Sequence, residues 1–423
     1  MKRIVIASFA AAVIGCGAIT FAAPGNAVTE SDAATQSSHI AGQIIAKFRD
    51  KGAAAGVLRQ HGLREGRGIG STGAQLIKVP AGRELQLIEA LSRNPVVEYA
   101  EPDHVVTPAA EEPAPNYFPS QYALYNEGQE FWNARGDTKI DAGTLDADVD
   151  AVEAWAITRG IDIIRVAVLD SGVDLDHEDI SEKVVARANF SGGNTGDDRY
   201  GHGTHVAGIV AAVDNNRGVS GVCPDCTIMS GKVLSDNGIG TSSGLANGIN
   251  WAVNNGAKVI NMSLAVRASR TLEAAVNNAW NKGVVLVAAA GNGNSQTKMY
   301  PAAYDNVIAV GATNNHDNKA YFSTYGATWV DVAAPGVAVF STFPNHESAL
   351  AGTGKKRSLN YDIGDGTSMA APIVAATVAL TWSANPSAGN SLVRAKVESS
   401  TDPAGTTGDW AHGRVNADKA VHW

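Results

Sequence analysis

The sequence predicts an α/β fold in which a mostly parallel central sheet is covered by helices on both faces, preceded by a smaller α+β domain. The main observation is that short, apolar, β-rich runs alternate with helical patterns along the C-terminal part of the chain. A second observation is a strand, helix, strand, helix, strand pattern before residue 107. Apolar runs separated by helices are typical of parallel strands buried on both faces. Reactive residues in such sheets collect at the carboxyl ends of the strands, which is where candidates are sought.

The larger domain is supported by five apolar runs and three helical segments. The runs are residues 163–170, 227–234, 257–264, 284–291 and 306–312, and the helical segments are residues 203–213, 244–256 and 271–283. Hydrophobic residues make up 44% of the 423-residue chain and charged residues 18%, which is typical of a globular protein. The formal net charge of −9 argues against a nucleic-acid partner held by a basic surface. We expect a monomer.

The smaller domain is predicted over residues 40–107. Strands are expected at residues 42–48, 75–79 and 96–106, and helices at residues 53–62 and 83–94, an arrangement that suggests a split β-α-β, ferredoxin-like unit. It contains no evident nucleophile, metal cluster or phosphate loop, so we interpret it as a binding or folding module. Residues 108–117, rich in proline, alanine and acid, predict an exposed linker that proteases can reach.

Residues 1–27 have the pattern of an export signal. Lys2 and Arg3 precede an apolar run that is too short to span a membrane comfortably, so no stable membrane span is expected. The small residues Ala22, Ala23 and Ala27 suit ordinary signal cleavage, whereas VIGC, ending at Cys16, resembles a bacterial lipobox. We favour plain secretion and keep acylation of Cys16 as the alternative.

The remaining cysteines, Cys223 and Cys226, lie in the segment VCPDC. In an exported protein a small structural disulfide is the favoured interpretation, because Pro224 and Asp225 read as a turn. A redox CxxC site remains possible, although its usual place is the start of a helix. Two thiols alone make a poor zinc site.

Three polar residues occupy positions that favour chemistry. Asp170 ends the first apolar run, where a desolvated carboxylate needs a partner. His202, in YGHGTHVAG, stands where a glycine-rich turn enters a helix, and Ser368, in GDGTSMAAP, follows a glycine turn into another helix. Serine needs a base to become a nucleophile, and imidazole needs a carboxylate to fix its tautomer. Together the three residues predict nucleophilic catalysis.

Each of these residues also has a simpler interpretation. Asp170 could begin a turn, and Ser368 could be a helix N-cap. His202 and His205, three positions apart, could form a metal pair, but no third ligand with suitable spacing is evident. His205 has apolar neighbours and is expected to pack in the core. Asn292, just past the run 284–291, is either a turn residue or an oxyanion donor.

The motifs VAVLDSGVD, GHGTHVAG, VINMSL, AAAGNGN, APGVAVFSTFP and GTSMAAP resemble those of the subtilisin-like serine proteases (subtilases), in family order. The resemblance covers residues 118–423 and implies the three-layer subtilisin-like fold and a serine endopeptidase that cleaves proteins and peptides through an acyl-enzyme. It implies that Ser368 is the nucleophile, His202 the base and Asp170 the orienting carboxylate. It further implies that Asn292 and the Ser368 amide form the oxyanion hole and that His205 is structural.

The same resemblance implies where the substrate binds. The substrate would add as a β-strand along two segments, Gly238, Ile239 and Gly240 on one side and Ser263, Leu264 and Ala265 on the other, with Gly291 also contacting it. Ala265 replaces the usual glycine, which could narrow the primary specificity pocket. Ser242 stands where several relatives carry an aromatic residue. With Met299 near the pocket floor, an apolar preference before the scissile bond is expected.

A propeptide and a calcium site are further implications of the resemblance. Residues 40–107 resemble the inhibitor-type propeptide of subtilases, which chaperones folding and occupies the active site until it is cut, here between about residues 106 and 116. The high-affinity calcium loop of the family corresponds to Asp179, Val213, Asn215, Arg217 and Val219. Carboxylate, amide and backbone oxygens are the ligands that calcium prefers.

Two other functions fit parts of the sequence. An α/β-hydrolase could use Ser368 with Asp402 or Asp409 and His412, but its nucleophile elbow needs glycine where Ala370 stands. A catalytically silent subtilase fold acting as a scaffold or inhibitor is the second. The complete set of catalytic residues argues against it.

Overall fold

The structure, a computed structural model, describes residues 39–104 and 116–423. These residues form two compact units, the first within Met1–Glu112 and the second within Pro113–Trp423. The predicted export signal, with Cys16, and residues 108–115 of the predicted linker lie outside the described residues.

The first unit is a four-stranded antiparallel sheet with two helices. Its elements are β1 (His39–Phe48), α1 (Lys51–Gln60), β2 (Arg67–Gly68), β3 (Ala74–Lys78), α2 (Glu84–Ser92) and β4 (Val97–His104). The strand order is β2-β3-β1-β4, and β1 pairs with both β3 and β4. A separate apolar core forms where Ile44, Leu58 and Leu91 are fully buried. The three strands and two helices expected from the sequence are all present, and the short β2 is additional.

The second unit contains a nine-stranded main sheet and two small sheets. Its strands are β5 (Phe131–Trp132), β6 (Lys139–Ile140), β7 (Arg165–Asp170), β8 (Val184–Asn189), β9 (Thr227–Lys232), β10 (Val259–Met262), β11 (Val285–Ala289), β12 (Val307–Thr313), β13 (Val332–Pro335), β14 (Val339–Thr342), β15 (Tyr361–Gly364), β16 (Thr401–Asp402) and β17 (Arg414–Val415). The main sheet has the order β16-β17-β13-β12-β11-β10-β7-β9-β8, and its neighbours pair in parallel except β16 with β17. The pairs β5-β6 and β14-β15 form two small sheets.

Helices cover both faces of the main sheet. They are α3 (Ala151–Ala154), α4 (His202–Ala211), α5 (Ser242–Asn254), α6 (Arg270–Asn281), α7 (Thr367–Ala384), α8 (Asn390–Ser399) and α9 (Ala417–Val421). Alternate residues of β7 enter different cores: Val166 and Val168 pack with α4 and α7, whereas Ala167 and Leu169 pack with α5 and α6. This is why the apolar runs are continuous rather than alternating. The predicted α/β fold is confirmed.

Helix α7 is apolar along its whole length. Its 18 residues have a mean hydropathy of 1.3, enough for a membrane span by length and composition, but 89% of them are buried inside the fold. A buried core helix passes the same test, so this helix is weak evidence for a span.

Candidate active site

Asp170 is the last residue of β7 and is fully buried. One carboxylate oxygen, Oδ1, accepts hydrogen bonds from the Ser171 amide at 2.7 Å and from His202 Nδ1 at 2.8 Å. Because a carboxylate can only accept, the proton of a neutral His202 ring sits on Nδ1, which leaves Nε2 as an acceptor. This is the tautomer that a general base needs.

His202 is the first residue of α4, and 18% of its side chain is exposed. Burial lowers the pKa of His202, but the charge and hydrogen bond of Asp170, together with the charge of Asp198, outweigh it. The net pKa of His202 is therefore raised above its ordinary value. The start of α4 packs closely against the loop after β7, since a Cβ at Gly203 would lie 2.1 Å from the Gly172 carbonyl oxygen.

Asp198 is a buried carboxylate behind this pair that the sequence reasoning missed. It accepts hydrogen bonds from Ser171 Oγ (2.8 Å), the amides of Tyr200, Gly201 and Thr204, and the Thr204 hydroxyl. Ser171 Oγ in turn accepts from the Gly203 amide at 2.9 Å. Asp198 therefore caps the start of α4 and joins it to the loop after β7. A carboxylate shortly before a helix start was its only sequence signal.

His205, one turn into α4, is a core residue. It is fully buried, and its ring packs 4.8 Å from that of Phe343. Within the described residues neither ring nitrogen has a hydrogen-bond partner, and burial lowers its pKa to about 3. Among those residues no group of three or more possible metal ligands includes His202 or His205.

Ser368 is the second residue of α7, after Gly366 at the N-cap. Its hydroxyl donates to the Ser263 carbonyl at 3.2 Å, and its own carbonyl accepts from Ser263 Oγ at 2.7 Å. In the described part of the chain no hydrogen bond joins Ser368 Oγ to His202. Contacts between a nucleophile and its base are often unformed without substrate. The structure thus ties Ser368 to the end of β10.

Pro372 lies in the second turn of α7, because the helix begins at Thr367. A proline here has no N–H for the carbonyl four residues earlier, which is that of Ser368. Ser263 Oγ supplies the missing donor, and it accepts in turn from Asn261 Nδ2 at 3.0 Å.

Asn292 follows β11 and is held by Thr367, another residue that the sequence reasoning missed. Its Oδ1 accepts from the Thr367 amide at 2.9 Å and from the Thr367 hydroxyl at 3.0 Å. The Gly291 amide donates to that hydroxyl. Both donors engage Oδ1, and Nδ2 makes no hydrogen bond within the described residues. Gly366 has a φ of +143°, which favours glycine, and a Cβ there would also lie 3.2 Å from Nδ2.

Two adjoining cavities of about 410 and 440 Å³ border these residues and share Leu264 and Ala265. His202, Gly238, Ile239, Gly240 and Ser263 line the first, together with Ser242. Ser368, Asn292, Gly291 and Met299 line the second. Every residue expected to contact substrate therefore lines one of the two cavities. None of the side chains lining the second cavity is charged.

The residues weighed for an α/β-hydrolase site lie elsewhere. Asp402 accepts from Asn416 at 2.6 Å and pairs with Arg414 and Lys419. Neither Asp409 nor His412 lines a cavity with Ser368. That alternative is wrong because its acid and base belong to the β16–β17 region.

The loop expected to bind calcium contains an unsatisfied carboxylate oxygen. Asp179 is fully buried, and its Oδ2 accepts from the Val219 amide at 2.9 Å. Its Oδ1 is buried without a partner among the described residues, and burial raises the pKa of Asp179 to about 6. Asn215 Oδ1 accepts from the Arg217 amide. A buried carboxylate oxygen without a partner fits a hard cation, which prefers oxygen ligands.

In two further groups of acidic or histidine side chains, the atoms that could bind a metal ion all lie within 4.8 Å of one another. The groups are Asp174, Asp197 and His346, and Asp146, Asp148 and Asp150. The carboxylate of Asp148 already accepts from the amides of Asn126 and Asp150. Neither group includes Asp179.

Cys223 and Cys226 form a disulfide with an S–S distance of 2.06 Å. Both cysteines are fully buried, and a Cβ at Gly160 would lie 2.5 Å from Cys223 Sγ. The bridge precedes β9, at the edge of the sheet opposite Asp170. It therefore lies away from the candidate site.

Comparisons with known proteins match both units. A model of the subtilase family matches residues 162–416, and one of the fervidolysin N-terminal prodomain matches residues 25–103, overlapping the last residues of the predicted export signal. The chain is 37% identical to a thermophilic serine proteinase of Bacillus sp. (strain AK1) over 91% of this chain and 88% of that one. It is 45% identical to thermitase of Thermoactinomyces vulgaris over 65% of this chain and 94% of that one. A solved protease structure from Pseudoalteromonas arctica PAMC 21717 is 30% identical with a TM-score of 0.62, covering 74% of this chain and 99% of that one.

Proposed function

This chain belongs to the subtilase family and is a serine endopeptidase with an N-terminal prodomain, and we propose that Asp170, His202 and Ser368 form its catalytic triad. The observation that carries the proposal is the 2.8 Å contact between Asp170 Oδ1 and His202 Nδ1. It fixes the tautomer in which Nε2 can take a proton, and the raised pKa of His202 describes an imidazolium that the site stabilises.

The reaction follows from these roles. Ser368 Oγ turns from the Ser263 carbonyl, gives its proton to His202 Nε2 and attacks the peptide carbonyl carbon. The imidazolium, stabilised by Asp170, then donates that proton to the leaving amine as the acyl-enzyme forms. Water, deprotonated by the same imidazole, attacks the acyl-enzyme and regenerates Ser368.

The developing oxyanion would accept two hydrogen bonds. One comes from the Ser368 amide, which lies at the start of α7 and makes no hydrogen bond within the described residues. The other comes from Asn292 Nδ2, oriented by the two bonds of Thr367 to Oδ1. Donors fixed before reaction cost no reorganisation when charge develops.

A peptide substrate would pair with backbone on both sides of the first cavity, along Gly238–Gly240 and Ser263–Ala265. Backbone pairing favours broad cleavage of proteins. The residue before the scissile bond would enter the second cavity, between Ala265 and Met299. Because that cavity has no charged side chain in its lining, we expect uncharged, apolar side chains to be preferred there.

A calcium ion would stabilise the fold from the loop that contains Asp179. Asp179 Oδ1, the Asn215 side chain and the carbonyls of Val213, Arg217 and Val219 would hold it. The ion would neutralise a buried carboxylate, which otherwise costs free energy to desolvate. This role is structural.

The protein would be exported by residues 1–27 and mature by removal of its prodomain. Residues 40–107, followed by the linker of residues 108–117, would act as an intramolecular inhibitor and chaperone until cleavage between about residues 106 and 116. The matching prodomain model supports this course.

Expression of the wild type beside Ser368→Ala tests the function. We expect the wild type to lose the first hundred-odd residues and to digest casein until a serine-directed phosphonate is added. Ser368→Ala should stay full length and inactive. Equal processing of both chains would contradict self-cleavage, and casein digestion by Ser368→Ala would contradict the assigned nucleophile.

A further inference from the structure

Lys232 is a fully buried lysine beside the candidate triad. It ends β9, and in the parallel pairing of β7 with β9 it stands opposite Asp170. Burying an ammonium is costly unless all of its protons find acceptors. An apolar residue of similar length would fill the same space at lower cost, so packing alone does not account for a lysine here.

The ammonium of Lys232 makes three contacts, each to a different segment. It donates to the Ser171 carbonyl at 2.5 Å and to the Asp197 carbonyl at 3.1 Å. It also pairs with Asp236 Oδ1 at 2.9 Å. Two of these contacts are hydrogen bonds, and the third is an ion pair that compensates the buried charge.

Each segment carries a different part of the site. Ser171 follows Asp170, and Asp197 precedes Asp198, which caps the helix of His202. Asp236 lies in the hairpin 234–240, closed by bonds from the Ser235 amide to the Ile239 carbonyl and from the Gly238 amide to the Ser235 carbonyl. This hairpin ends in one of the two segments that line the first cavity.

We propose that Lys232 is a positioning residue, whose ammonium holds the loop after Asp170, the segment before His202 and the substrate hairpin in one arrangement. The inference rests on the proposed triad and goes beyond it. Lys232 acts through its neighbours and does not touch the reacting atoms. Its contacts divide into two groups: two carbonyls on the triad side and one carboxylate on the substrate side.

The division predicts different kinetics for two variants of the mature enzyme, measured with a chromogenic peptide anilide. Asp236→Ala removes only the contact between Lys232 and the hairpin. Because this ion pair is half-exposed, its loss should raise KM about two- to fivefold and leave kcat unchanged. Lys232→Met releases all three segments and should lower kcat about 10- to 100-fold, because small misplacements of catalytic groups are expensive. Lys282→Met, at an exposed lysine, is the matched control and should match the wild type.

The outcomes separate this inference from the proposed function. A wild type without peptidase activity overturns the proposed function and the inference with it. If the wild type is active and Lys232→Met has the same kcat and KM, Lys232 is only a packing residue, even if the variant melts at a lower temperature. This result overturns the inference alone. If Lys232→Met does not fold, Asp236→Ala decides: a raised KM at unchanged kcat supports the proposal, and an unchanged KM overturns it.

Discussion

Ser263→Ala is the substitution whose effect follows most directly from the geometry of the site. Ser263 Oγ donates to the Ser368 carbonyl, which Pro372 leaves without its helical partner, and accepts from Asn261. Asn261 is fully buried, and its Oδ1 has no partner among the described residues. Removing the hydroxyl leaves a carbonyl and an amide unsatisfied.

The expected cost combines these two groups. A buried polar group that loses its partner costs about 1–3 kcal/mol, so the loss of two partners in Ser263→Ala should destabilise the fold by about 2–6 kcal/mol. The substitution Pro372→Ala restores an N–H four residues after Ser368, within reach of the orphaned carbonyl. In the double variant this N–H should recover about 1–2 kcal/mol, which is a favourable coupling between the two positions.

Urea unfolding of the full-length chain measures this coupling. All variants carry Ser368→Ala to prevent self-digestion and are compared at one calcium concentration. Ser399→Ala, which removes an exposed helical hydroxyl, is the control and should change stability by less than about 0.5 kcal/mol. Additive effects of Ser263→Ala and Pro372→Ala, within about 0.3–0.5 kcal/mol, would refute the reasoning.

Three further predictions concern the triad, the oxyanion hole and the calcium loop. Asp198→Asn removes a negative charge that raises the pKa of His202. Less imidazolium should therefore form at a given pH, and the acid limb of the kcat/KM profile should move to lower pH. An acid limb that stays in place or moves to higher pH contradicts this. Asn292→Ala should lower kcat by about 10²–10³ with KM little changed, as expected when an oxyanion donor is lost, and wild-type kcat would exclude Asn292 from the oxyanion hole. EDTA should lower the melting temperature of the Ser368→Ala chain but not that of the same chain carrying Asp179→Asn. Because the pKa of Asp179 is about 6 without the ion, calcium affinity should increase as pH rises through that value, and titration calorimetry at two pH values checks it.

Local sequence patterns determined the elements of the fold and the family. Apolar runs predicted β7, β9, β10, β11 and β12 within a few residues, because strands buried on both faces leave a continuous apolar signature. The candidate residues Asp170 and Asn292 stand where such runs end, so the sheet topology alone brings them to one edge. His202 and Ser368 stand at helix starts marked by glycine turns, which are equally local signals.

The tertiary structure alone decided how these side chains are held. Asp198, Lys232 and Thr367 have partners that are buried by packing between segments distant in sequence, and no local periodicity marks them. The pairing of Ser263 Oγ with the Ser368 carbonyl joins residues 105 positions apart. The effect of Pro372 is also decided by the fold, because the donor that replaces its missing N–H comes from Ser263, just after β10. The sequence by itself thus determined which groups can react, whereas long-range packing determined how those groups are oriented. The physical reason is that hydrogen-bond partners across a sheet edge depend on the folded geometry and not on neighbours along the chain.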